Sequence, residues 1–282
     1  MERELWKVVY TKLKKVARYF DQKYVQLQPW RIAAVLLWAA LHDRPVCRAC
    51  DKRNWSTTRR KPGQLPSEAT VSRRAQKTSF ALFLNRVAAE LKGDGPPAWE
   101  LVVDGKPLPV GRCSKDRDAR SGALGRGYKL HAIWGDAVLP EAWEVTAMRD
   151  YEGAVAERLL KQIRGKGFLY ADGNYEAGRI YDAAAASGYQ LLAHPDPQDN
   201  GCGHRPPSEH RLLALRFFAR GLGWDLYRWR TSIERAFGNA GSFGGGLGPL
   251  PNWVRRLGRV TRWVWCKLMI NAARIIHKRQ NL

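Results

Sequence analysis

Three acidic residues stand in contexts suited to holding a metal ion. Asp104 closes the run Trp99-Glu100-Leu101-Val102-Val103-Asp104, and Asp172 closes Phe168-Leu169-Tyr170-Ala171-Asp172. Glu234 ends Tyr227-Arg228-Trp229-Arg230-Thr231-Ser232-Ile233-Glu234, which reads as a helix. A carboxylate just past a buried strand stands at the carboxyl edge of a sheet, where open α/β folds place their ligands. A helix carried across that edge supplies a third. Crowded carboxylates repel one another and resist ionisation unless a cation neutralises them. Hard oxygen donors of this kind suit Mg²⁺ or Mn²⁺, and the chemistry is metal-assisted cleavage of a phosphodiester. Each acid also has a plainer use. Asp104 and Asp172 both precede a glycine and suit turns, and Glu234 can pair with Arg230 one helical turn away.

The elements that must position these acids follow from periodicity. Residues 1–42 read as two helices, the first with Leu5, Val8, Val9, Leu13, Val16 and Phe20 at intervals of three and four, the second opened by Pro29. Residues 43–66, with Pro45, Pro62, Gly63, Pro66 and the run Arg59-Arg60-Lys61, form a solvated connection. Ser67 or Thr70 caps a third helix and Ser79 a fourth, which stops at Gly93. With Arg73 and Arg74 near their junction, these two make either a helix-turn-helix that binds a DNA end or a structural helical hairpin. Gly93-Asp94-Gly95-Pro96-Pro97 separates an N-terminal helical region, 1–98, from the remainder, 99–282.

Beyond that boundary the pattern turns to short strands. Trp99–Val103 is the first, and Lys129–Trp134 with Val138–Val145 form a hairpin. A helix over Glu152–Ile163 with Asp150 as cap, a strand over Phe168–Ala171, a helix over Ala177–Ala186 and a strand over Tyr189–Ala193 complete the set. Residues 195–207 form a polar loop. From Trp253 to Lys278 an apolar stripe (Val254, Leu257, Val264, Leu268, Ala272, Ile275) marks a C-terminal helix expected to dock on the catalytic region. The order is that of an α/β fold with a mixed sheet flanked by helices.

Lys+Arg 48 against Asp+Glu 26 gives a formal charge of +22, with +12 on residues 1–98 and +10 on the rest. Such a field favours a polyanion, most simply nucleic acid, with steep salt dependence. The most apolar run, Ile32–Leu41, is about half the roughly 20 residues a membrane span needs. The start of the chain lacks the apolar core of a secretory signal, and five cysteines form no even framework, so cytoplasm is the expected compartment. Cys47 and Cys50 are a C-x₂-C pair that Cys202 and His204 could complete as a zinc site, or they are free thiols. The glycine run 244–246 lacks the Lys-Ser/Thr of a phosphate-binding loop, which excludes ATP binding of that kind.

Three segments in this order resemble an insertion-sequence transposase of the DDE class with a ribonuclease H-like catalytic domain. They are Val103-Asp104-Gly105-Lys106-Pro107-Leu108 with the second strand Gly127-Tyr128-Lys129-Leu130-His131; Tyr170-Ala171-Asp172-Gly173-Asn174-Tyr175; and Tyr227, Arg230 and Glu234 as the Tyr-x₂-Arg-x₃-Glu box. The resemblance covers most of residues 99–282. It implies that Asp104, Asp172 and Glu234 are catalytic and hold two Mg²⁺ or Mn²⁺ ions. It further implies hydrolysis at the terminal inverted repeats of a mobile element and strand transfer to target DNA, by at least a homodimer. Tyr227, Arg230, Lys129, Arg73, Arg74, Arg255 and Arg256 are the expected DNA contacts. One departure stands out: many members carry a Lys seven positions after the Glu, where this chain has Gly241. Two other readings stay open, a ribonuclease H-like nuclease without strand transfer and a transposase-derived DNA-binding protein without catalysis.

Overall fold

The structure is a computed structural model that describes residues 2–20, 28–55, 60–111, 114–195, 208–243 and 246–281. It comprises two compact units, Met1–Asp94 with Asn239–Leu282, and Gly95–Gly238.

The first unit is helical. α1 (Glu2–Ala17) buries Leu5, Trp6, Val9, Leu13 and Val16, the stripe its periodicity sets. α2 (Pro29–Leu41) starts with Pro at its first turn and is apolar nearly all round, so it forms the centre of the unit. α3 (Val46–Ala49) and a 3₁₀ turn (Lys52–Trp55) seat the buried Trp55, whose indole N–H donates to the Ala49 carbonyl at 2.8 Å. α4 (Glu68–Arg74) is capped by Ser67, which accepts from the Thr70 N–H. α5 (Thr78–Lys92) begins one residue before Ser79, without a side-chain cap, and ends at Gly93.

The second unit carries the sheet: β1 (Glu100–Pro109), β2 (Arg120–Gly122), β3 (Gly125–Trp134) and β4 (Ala142–Ala147), then α6 (Glu152–Leu160), β5 (Gly167–Ala171), α7 (Gly178–Ala186) and β6 (Tyr189–Ala193). β1 pairs antiparallel with β3 on one side and parallel with β5 on the other, and β5 pairs parallel with β6. β2 and β4 both pair with β3. The order β4-β3-β1-β5-β6 is the expected ribonuclease H-like mixed sheet. Its centre is dry: Leu101, Val102, Val103, Leu130, Ile133, Leu169, Tyr170, Leu191 and Leu192 are all buried. Buried apolar runs of this kind are what strands covered on both faces require.

Several local expectations are corrected. β1 does not stop at Val103 but runs on to Pro109, because β3 continues to pair with it after β5 has ended. Asp150 does not cap α6; Tyr151 holds that position, and the Asp150 carboxylate accepts from the Ala147 N–H instead. The helix expected through Tyr227 and Glu234 is broken. α8 (Glu209–Ala219) and α9 (Leu222–Tyr227) lead to a 3₁₀ turn (Arg228–Arg230), and α10 (Thr231–Gly241) follows. Residues 196–207, with Cys202 and His204, lie outside the described residues, as do Arg59, Cys113, Gly244 and Gly245.

α11 (Leu257–Gln280) belongs to the first unit, not to the catalytic region as its position in the chain suggested. Its apolar stripe is covered by α1, α2 and α5. Lys267 reinforces this docking. Its buried ammonium donates to the Ala40 carbonyl at 2.7 Å and to the Asp43 carboxylate at 2.6 Å, at the carboxyl end of α2 where backbone carbonyls lack partners. No described helix is long and apolar enough to cross a membrane.

Candidate active site

The strand register brings two of the acids together. β1 and β5 pair in parallel as Glu100 with Phe168 and Val102 with Tyr170. Two further steps along each strand reach Asp104 and Asp172, which therefore neighbour each other at the carboxyl edge of the parallel pair. Asp104 is half-buried within β1, and its Oδ1 accepts the Gly105 N–H at 2.7 Å. Asp172 lies just past β5 and caps the 3₁₀ turn Gly173–Tyr175, its Oδ1 accepting the Asn174 N–H at 2.9 Å. Both carboxyls hold their protons more tightly than usual. For Asp104 the first cause is burial, joined by the charges of Asp172 and Glu152 and opposed by the Gly105 N–H and by Arg230. For Asp172 it is again burial, joined by the charge of Glu152 and opposed by the Asn174 N–H and Arg230.

The third acid is held differently. Tyr227 ends α9, and its hydroxyl donates to the carbonyl of Ala171 at 2.9 Å, one residue before Asp172. This bond fastens the helical arm to the sheet edge. Arg230 follows in the 3₁₀ turn, its Nη1 donating to Glu234 Oε1 at 3.2 Å, while its buried Nε has no hydrogen-bond partner among the described residues. The Glu234 side chain is 60% exposed. Lys106, on the same face of β1 as Asp104, places its ammonium 5.9 Å from the Phe237 ring of α10. The structure thus gathers Asp104, Asp172, Tyr227 and Arg230, while Glu234 is turned to Arg230. Among the described residues no three Asp, Glu, His or Cys side chains group closely enough to hold one metal ion.

Other expected residues fare unevenly. Lys129 is not a free cation for DNA: it is 9% exposed and ion-paired with Glu152, because β3 lies between β1 and β4 and under α6. Arg73 is exposed and Arg74 half-buried on α4, and Arg255 and Arg256 are exposed before α11; all four belong to the first unit. Cys47 and Cys50 are free thiols, and burial lifts that of Cys50 to about 11. Asp116 is buried and accepts from the Tyr128 hydroxyl at 2.7 Å.

Sequence reasoning missed Glu152 and Tyr175. A signal existed for Glu152. β4 runs in the same direction as β1 and β5, since each neighbours an antiparallel or parallel partner accordingly. The helix that follows β4 therefore starts at the edge where Asp104 and Asp172 stand.

In donor chemistry the two aspartates fit a divalent cation. They are hard oxygen ligands, half-buried and mutually repulsive, and Asp104 Oδ2 accepts no hydrogen bond from the described residues. Residues 95–269 match the family described as the transposase DDE domain. The chain belongs to the DDE transposase family. The matched span contains Asp104, Asp172 and Glu234. A solved piggyBac transposase synaptic complex with hairpin DNA is similar with a TM-score of 0.47 at 10% identity, over 98% of this chain and 74% of that one. No curated protein sequence matches. Within this DDE transposase the glycine at 241 has a local cause: a Cβ there would lie 3.1 Å from the Leu247 carbonyl, where the chain turns back after α10.

Proposed function

We propose that this transposase cuts DNA phosphodiester bonds at the ends of a mobile element and joins the freed 3′ ends to target DNA, using divalent ions held by Asp104, Asp172 and Glu234. The observation that carries this reading is the pairing of Asp104 with Asp172 at the carboxyl ends of adjacent parallel strands, with burial and mutual repulsion disfavouring their charged forms. Two bound ions would supply a water of lowered pKa and a Lewis acid for the departing oxygen.

The chain's own residues set the stage. Asp104 and Asp172 are held by strand register and by their backbone hydrogen bonds. Arg230 has a planar guanidinium suited to gripping a phosphate through two parallel hydrogen bonds. A DNA phosphate that takes Arg230 frees the Glu234 carboxylate, whose exposure leaves it room to turn inward. Tyr227 holds the root of the arm on Ala171 throughout. The +22 charge gathers DNA from solution. The α4–α5 pair with Arg73 and Arg74 serves an element end, Arg255 and Arg256 contact phosphates, and two copies of the chain hold two ends together.

The test is incubation of the protein with Mg²⁺ and a supercoiled plasmid carrying the cognate inverted repeats. Joined products are expected. Nicking alone would reduce the activity to a nuclease, and retarded but uncut DNA would reduce it to binding. Asp172→Asn should abolish cutting while the band shift persists.

A further inference from the structure

A buried ion pair lies against the aspartate pocket. Lys129 on β3 faces Pro107 of β1, and its ammonium pairs with the carboxylate of Glu152, the first residue of α6. Their side chains are only 11% and 17% exposed. The pair occupies room that Gly105 leaves. A Cβ on that residue would lie 2.7 Å from Lys129 Cδ and 3.6 Å from Glu152 Oε1. Gly105 is also the residue whose N–H holds Asp104. On its other flank α6 packs against the 3₁₀ turn that Asp172 caps. Buried in that turn is the Tyr175 hydroxyl, which lies against Glu152 and within the fields of Asp104 and Asp172. The pair therefore touches the backbone supports of both aspartates, in dry protein where charges are weakly screened.

We propose that Lys129 and Glu152 are positioning residues that set the strength of the metal pocket, Glu152 tightening and Lys129 loosening the hold of Asp104 and Asp172 on a divalent cation. This rests on the reading of Asp104 and Asp172 as metal ligands. Glu152 adds a fixed negative charge behind the two aspartates and favours a cation between them. Lys129 anchors that charge and offsets part of it.

Mn²⁺ binding to the full chain without DNA, followed by titration calorimetry, separates a field effect from mere structural support. Glu152→Gln should bind Mn²⁺ about 10-fold more weakly, the scale of a lost supporting partner. Lys129→Met should bind it more tightly. Structural damage would weaken both. Asp172→Asn should lose binding; if it keeps the wild-type affinity, the metal reading itself falls. If Asp172→Asn loses binding while the other two variants leave it unchanged or shift it in the same direction, the roles given to Lys129 and Glu152 are overturned. Should Glu152→Gln fail to fold with Lys129 unpaired, Lys129→Met is compared with the Lys129→Met/Glu152→Gln double variant. The double variant should bind more weakly, and equal affinity would refute the proposal.

Discussion

The sheet edge and the helical arm of the second unit hold their acids by opposite means. At the edge, Asp104 and Asp172 sit where parallel register puts them, half-buried, Asp104 bonded to the next backbone N–H of its strand and Asp172 to a backbone N–H of the turn it caps. On the arm, Glu234 is largely exposed and bonded to Arg230, a residue whose charge also eases both aspartates. Burial and repulsion disfavour the charged aspartates at the edge, and on the proposed reading a cation would relieve this before any substrate arrives. On the proposed reading the arm carries an acid that must exchange one partner for another. In the function proposed above, the contrast would separate a preset half of the site from a half that DNA completes.

The largest effect should come from the edge. Asp104→Asn or Asp172→Asn is expected to lower plasmid cutting by about a thousandfold or more, as for the loss of a group essential to a catalytic unit. Glu234→Gln should reduce cutting comparably, yet leave Mn²⁺ binding by the DNA-free protein unchanged in calorimetry. Loss of that binding would erase the distinction between the two regions. Stability should divide them as well. Removing one of two crowded, half-buried charges relieves repulsion, so Asp104→Asn should melt about 2–4 °C higher, the shift that about 1 kcal/mol produces in a domain of this size. Glu234→Gln, at an exposed position, should change stability by no more than about 0.5 kcal/mol.

A separate effect concerns pH. Burial pushes the His131 imidazole down to about 4, with the charges of Glu152, Lys129, Glu144 and Arg158 acting around it. Its folded value lies below the unfolded one of about 6.5, so the unfolded chain binds the proton first. The stability this neutral histidine confers is therefore present above about pH 6.5 and lost as pH falls toward 4. The aspartates act in the opposite sense, because their raised affinity for protons favours the fold when they are neutral. Denaturant unfolding at stepped pH should show a decline over that acid range, and His131→Asn should flatten it.

The sheet edge was legible in the sequence because its strands are apolar runs that end in acids, and length and composition separate such runs from helices. That Asp104 and Asp172 stand at the carboxyl ends of two such strands could be read from the chain itself. The arm was half legible. Tyr227, Arg230 and Glu234 have the right spacing, but the break into α9, a 3₁₀ turn and α10 has no marker in that segment, and the ion pair of Glu234 is a side-chain choice that periodicity does not record. Lys129 misled because a lysine in a strand suggests an exposed cation, whereas pairing with Glu152 depends on a helix 23 residues later. Residues 257–280 showed an apolar stripe, and a stripe says that something covers it, not which helices do. That α1, α2 and α5 do so is a long-range outcome.

The central claim is that Asp104 and Asp172 form the preset half of a metal site. Anomalous scattering from crystals of the protein soaked in Mn²⁺, measured with and without a DNA end, tests it most directly. A manganese peak bridged by Asp104 and Asp172 in the free protein, joined by Glu234 only when DNA is present, is the expected result. Manganese bound elsewhere, with neither aspartate in contact, would contradict the account.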